Sequence, residues 1–264
     1  MELLPVELIE VDQSKIDRIN SVTKSIYRLV TFSRHHLDDD VLNAYLNSIH
    51  NLQELLGIKN AQMEAQNEEE AATYLENLQA ALVFVVDELK SGVNLTSEVQ
   101  LFQLLRIISP ETNARHPNQY RQTLVQIGAH VCPGPAEVPA LMADLFDRLE
   151  SIPNTILRAI YLHHEMIRIH PFVDGNGRIT RIAKNWMLMF DLYSPIFVND
   201  AAQKKLYIDT LAMSFAELNK NPGSWNEHTA AFFEQEIDRL LKNTDYLFDS
   251  IDRIGAQRRG IGAK

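Results

Sequence analysis

His170-Pro171-Phe172-Val173-Asp174-Gly175-Asn176-Gly177-Arg178-Ile179-Thr180-Arg181 brings a base, a carboxylate, two glycines and two arginines into one short window. Upstream, Asn154 can cap a helix that carries Ile156, Ile160, His163 and Ile167 on related faces and reaches His170. Pro171 stops it, because proline lacks the N–H a helix needs. Downstream, Ile182, Trp186 and Met189 set the spacing of a second helix that starts near Asn176. The stretch is therefore a corner between two helices. Successive N–H groups at the start of the second helix form a concave anion site, and the helix dipole adds to it. Gly175 and Gly177 let the backbone approach an anion closely. Arg178 and Arg181 stand three apart and share a face, where each guanidinium can grip phosphate oxygens. Asp174 offers the hard oxygen that Mg²⁺ requires. His170 titrates near neutrality and suits a general base. The helix C-terminus favours its charged form, while the arginines and a metal oppose it. This is the composition of a site for a magnesium-bound polyphosphate. Phe172 reads as a core anchor, and Val173, Ile179 and Thr180 as packing and spacing.

Outward from the corner the chain reads as all-α. The 264 residues contain only ten glycines and ten prolines, and most segments repeat near 3.6. Ile16, Ile19, Ile26, Leu29 and Val30 line a first helix. The His35–Asp40 stretch ends it, as a solvated turn in which Asp40 caps the next helix, Val41–Leu56. A third helix, Glu68–Leu89, points Ala72, Leu75, Leu78, Leu82 and Val85 inward. Ser97 and Gln100 make a capping box for Glu98–Ile108, which Pro110 closes. The pattern then changes. Thr123, Val125 and Ile127 alternate as a strand does, and Val131-Cys132 after Gly128 supplies a return strand. Helices follow at Glu137–Glu150, Asn154–His170, Asn176 onward and Asp200–Leu218, and a last one begins near Ser224. Gln257–Lys264 reads as a frayed end. The expected organisation is an N-terminal set of helices at 1–96, a catalytic core at 97–235, and a C-terminal helix and tail at 236–264.

A hydrophobic fraction of 45% supports a sizeable core, and the formal net charge of −10 argues against a nucleic-acid binder or an anionic membrane surface. Cys132 is the single cysteine, so no internal disulfide forms, and a small apolar filler in a reducing compartment is expected. The longest apolar run, Ala80–Val86, is too short to span a bilayer. A cytoplasmic location follows as the default, with an exported effector left open.

The stretch His170–Arg181 resembles the signature of the Fic-domain family at every fixed position. The likeness extends over roughly 40–235, through Val138-Pro139-Ala140-Leu141-Met142, His163, Pro195, Tyr207 and the Trp225…Phe232-Phe233 pattern. That resemblance implies a helical bundle with a short β-hairpin flap over the active site. It implies a protein adenylyltransferase that moves AMP from Mg-ATP to a Ser, Thr or Tyr hydroxyl of a target protein. His170 would be the base and Asp174 the Mg²⁺ ligand. Gly175, Asn176 and Gly177 would hold the α-phosphate, and Arg178 and Arg181 the β- and γ-phosphates. Thr123, Leu124, Val125, Gln126 and Ile127 would form the flap edge to which the target adds, and Tyr207 would contact the nucleotide base. Gly177 argues for nucleotidyl transfer, because relatives with Lys there move the γ-phosphate. Transfer of UMP, GMP or phosphocholine, and a catalytically silent binding module, are the alternatives. A homodimer is left open.

Two departures and two decoys complete the reading. In the family an inhibitory helix carries Ser/Thr and, four residues on, a Glu that pairs with the second signature arginine. Here Leu46, His50 and Asn51 fit that frame near 41–56, with neither key residue, so weakened auto-inhibition is expected. His164-Glu165 begins like a zinc-binding HExxH, but Arg168 stands at the second His position. His163 reads as a hydrogen-bonded core histidine.

Overall fold

A computed structural model describes residues 1–34, 66–196, 198 and 201–261. The expected helix at 41–56, with Leu46, His50 and Asn51, lies outside the described residues. The helices are α1 (Gln13–Arg34), α2 (Glu68–Lys90), α3 (Glu98–Ile108), α4 (Pro110–Arg115), α5 (Val138–Ser151), α6 (Thr155–Ile169), α7 (Asn176–Phe190), α8 (Ala201–Lys220) and α9 (Glu227–Ile261). Among the described residues the only strands are β1 (Gln126–Ile127) and β2 (His130–Val131). The fold is thus all-α with a small hairpin. None of the described helices is long and apolar enough to cross a membrane.

The caps expected at Asn154 and Ser97 hold, and Asn67 adds one at the start of α2. Asn67 Oδ1 accepts from Glu70 N at 2.9 Å, and Asn154 Oδ1 from Leu157 N at 3.1 Å. Ser97 and Gln100 form the capping box of α3. One helix escapes the sequence reading: Pro110 opens α4 as well as closing α3, since proline is tolerated at a first helical position. At the other end α9 runs to Ile261, past the expected fraying.

α6 and α7 form the centre. They pack against each other, and their residues are buried on nearly every side. α5 covers α6, α2 and α3 flank α7, and α9 packs on α1, α8 and α6. A single hydrophobic core runs from Leu3 through Phe172 and Trp186 to Leu247. In α2, Ala81, Leu82 and Val85 are buried and Ala72 is exposed. The inward face therefore begins later than the spacing suggested, because the first turns extend beyond the core.

Helices buried all round must pair their polar groups internally. In α6, Glu165 binds His164 Nδ1 at 2.6 Å and Arg168 Nη2 at 2.5 Å, while His164 Nε2 meets Ser214 Oγ at 2.9 Å. Burial opposes ionisation of Glu165, but Arg168 and His164 outweigh it and hold its pKa at about 2. The zinc decoy is thus an internal ion pair, and no metal-type cluster of His, Cys, Asp and Glu occurs among the described residues. In α7, Lys184 Nζ binds Glu236 of α9 at 2.5 Å, fixing the long helix on the centre.

Candidate active site

The loop 170–175 joins the central helices and is bracketed by two left-handed residues. His170, the C-cap of α6, has φ 53°, and Gly175, the N-cap of α7, has φ 81°. Glycine suits the second position for a further reason: a Cβ there would lie 3.3 Å from Ser109 Cβ. At His170 a non-glycine residue adopts the strained conformation, so surrounding contacts must hold it.

Three devices hold the loop. Phe172 is fully buried and packs against Phe102 and Tyr120, with ring centroids 5.9 and 5.8 Å apart. The Asn176 carboxamide clamps the Phe172 backbone: Oδ1 accepts from Phe172 N at 2.9 Å, and Nδ2 donates to Phe172 O at 2.8 Å. The third is Arg121, which the sequence reading passed over. It is 1% exposed, and its guanidinium donates to the carbonyls of His170 at 2.7 Å, Ile169 at 3.2 Å, Thr123 at 2.7 Å and Pro133 at 2.6 Å. Its own N–H donates to Pro171 O at 2.8 Å. Positive charge at the end of α6 is favourable to the helix dipole. Only contacts between distant segments reveal this role; an arginine at the edge of a strand-like run carries no local signal for it.

His170 stands at the lip of the loop. Its Nδ1 is buried and makes no full hydrogen bond among the described residues. Burial is the main cause that lowers its pKa, to about 4, with Arg121 and His130 adding to it and the Ile167 carbonyl and Asp174 opposing. The helix-end preference for the charged ring is therefore overridden, and His170 is neutral near pH 7.

Asp174 is half-exposed, and its Oδ2 accepts from Arg178 Nη2 at 2.8 Å and Ser109 Oγ at 2.9 Å. Arg178 is buried. It also donates to Ile108 O at 3.2 Å, and its guanidinium carbon lies 3.8 Å from the Tyr74 ring centroid. Of the two arginines, Arg178 thus braces Asp174 against α2 and α3. Arg181 is part-exposed, and its Nη1 lies 3.1 Å from where a Cβ on Gly177 would sit. A side chain at 177 would therefore displace that guanidinium.

Tyr207 lies in the core, and the expected packing of Val173 needs correction. Tyr207 is buried, its hydroxyl 2.9 Å from His163 Nε2 and its ring against His163 and Phe232. His163 is the core histidine expected; burial first, then Lys184, holds its pKa at about 3. Val173 is 47% exposed at the lip of the site and is not packed.

The hairpin beside the loop is shorter than expected. Gln126 pairs with Val131, Ile127 with His130, and Cys132 N reaches Val125 O at 3.0 Å. Thr123 and Leu124 lie outside the strand, and the Thr123 carbonyl is engaged by Arg121. His130 anchors the hairpin from within, with Nε2 2.9 Å from Arg168 O and Nδ1 3.2 Å from Asn219 Oδ1. Leu124 and Val131 face outward and are exposed.

Comparison with known proteins agrees with this arrangement. Residues 95–188 match the family described as Fic/DOC. The protein adenylyltransferase Fic of Drosophila willistoni is 32% identical over 111 residues, 40% of this chain and 22% of that protein. The protein of the same name from Culex quinquefasciatus is 27% identical over 134 residues, 49% of this chain and 27% of that protein. The chain thus spans about a quarter of the length of these curated relatives. A Fic-domain signalling protein from Bacteroides thetaiotaomicron superposes with TM-score 0.68 at 18% identity, over 88% of this chain and 97% of that one. A Fic family protein from Desulfovibrio desulfuricans gives 0.57 at 17% identity, over 95% and 76%. At these identities the likeness speaks for the fold. The signature loop and its helical frame thus fall within residues 95–188, the part of the chain that matches the Fic/DOC family.

Proposed function

We propose that the chain transfers AMP from ATP to a hydroxyl group of a target protein. The observation that carries this is His170, a neutral, half-buried imidazole beside the anion-binding start of α7. Nδ1 is buried, so Nε2 meets the target hydroxyl. As the hydroxyl oxygen forms its bond to the α-phosphorus, its proton passes to Nε2, the bond to the β-phosphate oxygen breaks, and pyrophosphate leaves. The N–H groups of Asn176, Gly177 and Arg178 lack helical partners and receive the α-phosphate. Arg181 receives the β- and γ-phosphates. Asn176 and Arg178 act by holding the loop and Asp174. The names of the curated relatives support the choice of AMP.

The residues present fit Mg²⁺. Asp174 is half-exposed, with Oδ2 engaged by Arg178 and Ser109, which leaves Oδ1 as the hard oxygen for the ion. Bound there, Mg²⁺ would draw charge from the phosphates. The target backbone would run along β1, the flap edge, past Leu124. The buried Cys132 thiol suits a reducing cytoplasm.

The test incubates the chain with lysate, Mg²⁺ and ATP labelled at the α- or the γ-phosphate. Label is expected on protein from α only, and His170→Ala should reduce it by about 10²–10⁴-fold. Label from γ only would overturn AMP transfer. No label from either would favour a binding module.

A further inference from the structure

Building on that function, we propose that Arg121 is a positioning residue that locks the flap and the base His170 into one unit, so that target seating and proton abstraction share a single geometry. A buried guanidinium ordinarily faces a carboxylate. This one donates only to carbonyls, drawn from two places. Ile169 and His170 belong to the end of α6, while Thr123 and Pro133 flank the two sides of the hairpin. The Arg121 N–H to Pro171 O fastens the same strand base to the loop itself. The arrangement bridges 49 residues of sequence at His170 and closes the hairpin at its root.

Two features of the site make the lock matter. His170 sits in a left-handed conformation, φ 53°, which relaxes unless its carbonyl is held. The flap contains only two paired positions on each strand, so contacts outside the ladder fix its direction: His130 on its inner face and Arg121 at its root. Arg121 holds the His170 carbonyl and the flap root with one planar group, which lysine's single ammonium cannot imitate. The charged and titratable groups facing His170 are Arg121 and His130 from the flap and Asp174 from the loop. Removing Arg121 therefore removes a nearby positive charge as well as a strut.

Arg121→Lys and Arg121→Met separate these contributions. Lysine keeps the charge and loses the planar fork; methionine loses both. In both variants kcat for AMP transfer should fall about 10²-fold, the scale of a displacement of roughly 1 Å, with KM for ATP within about threefold of wild type. The His170 ring, followed by NMR titration, should move its pKa upward in Arg121→Met and stay near wild type in Arg121→Lys. A merely structural arginine would change stability without that difference. If the variants do not fold, the wild-type chain still decides. The Arg121 Nε–H, bonded to His170 O, should exchange far more slowly than that of an exposed arginine. Rapid exchange there, or folded variants with unchanged kcat and an unchanged His170 titration, overturns the proposal. The NMR readouts need no transfer activity, so their failure is distinct from a failure of AMP transfer in the wild type.

Discussion

The loop 170–175 and the hairpin 121–132 lie side by side but are held in opposite ways. The loop has no regular structure, yet it is held by side chains from three directions: Asn176 on the Phe172 backbone, Arg121 on the His170 carbonyl, and Phe102 with Tyr120 around the Phe172 ring. The hairpin has regular structure and is fastened at two points, its root by Arg121 and its inner face by His130. Its outward side chains Leu124 and Val131 are 76% and 64% exposed, and its edge is open to pairing. A group that must meet one phosphorus atom at one angle gains from the first kind of support. A surface that must accept the backbone of another protein gains from the second.

The largest effect should come from attacking the clamp. Asn176→Ala leaves Phe172 N and O without partners in a buried site. We expect a loss of about 3 kcal/mol in unfolding free energy and a fall in AMP transfer of about 10²-fold, read by denaturant melts and by label transfer. Comparable activity in the variant would show that the loop keeps its shape without the carboxamide.

Acid should come next. His163, His164 and His170 are all held below the ordinary histidine pKa, chiefly by burial. Their unfolded pKa is about 6.5. Between that value and the folded ones, about 3 for His163 and about 4 for His170, the unfolded chain binds more protons. Their contribution to stability is thus fully present above about pH 6.5 and is lost as pH falls toward the folded values. The urea midpoint should decline steadily from pH 7 to pH 5. A flat profile would mean that the α6 histidines are already charged in the folded state.

These residues also show what could be read from sequence. The corner itself was legible, because proline, glycine and N-cap chemistry act over a few residues: Asn154, Pro171, Gly175 and the Ser97–Gln100 box stand where local rules put them. Phe172 and His163 were legible as core. Arg121 was not, since its acceptors are backbone carbonyls that any residue could supply, brought together only by folding. Spacing also put Arg178 and Arg181 on one face, but it could not tell which guanidinium the neighbouring helices would bury. The resemblance alone assigns Tyr207 to the nucleotide base, and its contact with His163, 44 positions away, leaves no local signal. The strand shrank to Gln126–Ile127 because Arg121 takes the carbonyl of Thr123.

The smallest stability effect should fall on the hairpin. Leu124→Ser removes an exposed side chain and should change unfolding free energy by no more than about 0.5 kcal/mol. It should raise the KM for a protein target while leaving the KM for ATP unchanged, as steady-state kinetics would show. A large loss of stability would instead place Leu124 in the support of the fold.

Native-state hydrogen exchange tests the contrast most directly. The Phe172 amide, held by Asn176, should exchange as slowly as the amides in the middle of α6 and α7. The amides of Leu124 and Val131 should exchange orders of magnitude faster. Equal rates in the two regions would contradict the account, for then the loop would be no better held than the flap it faces.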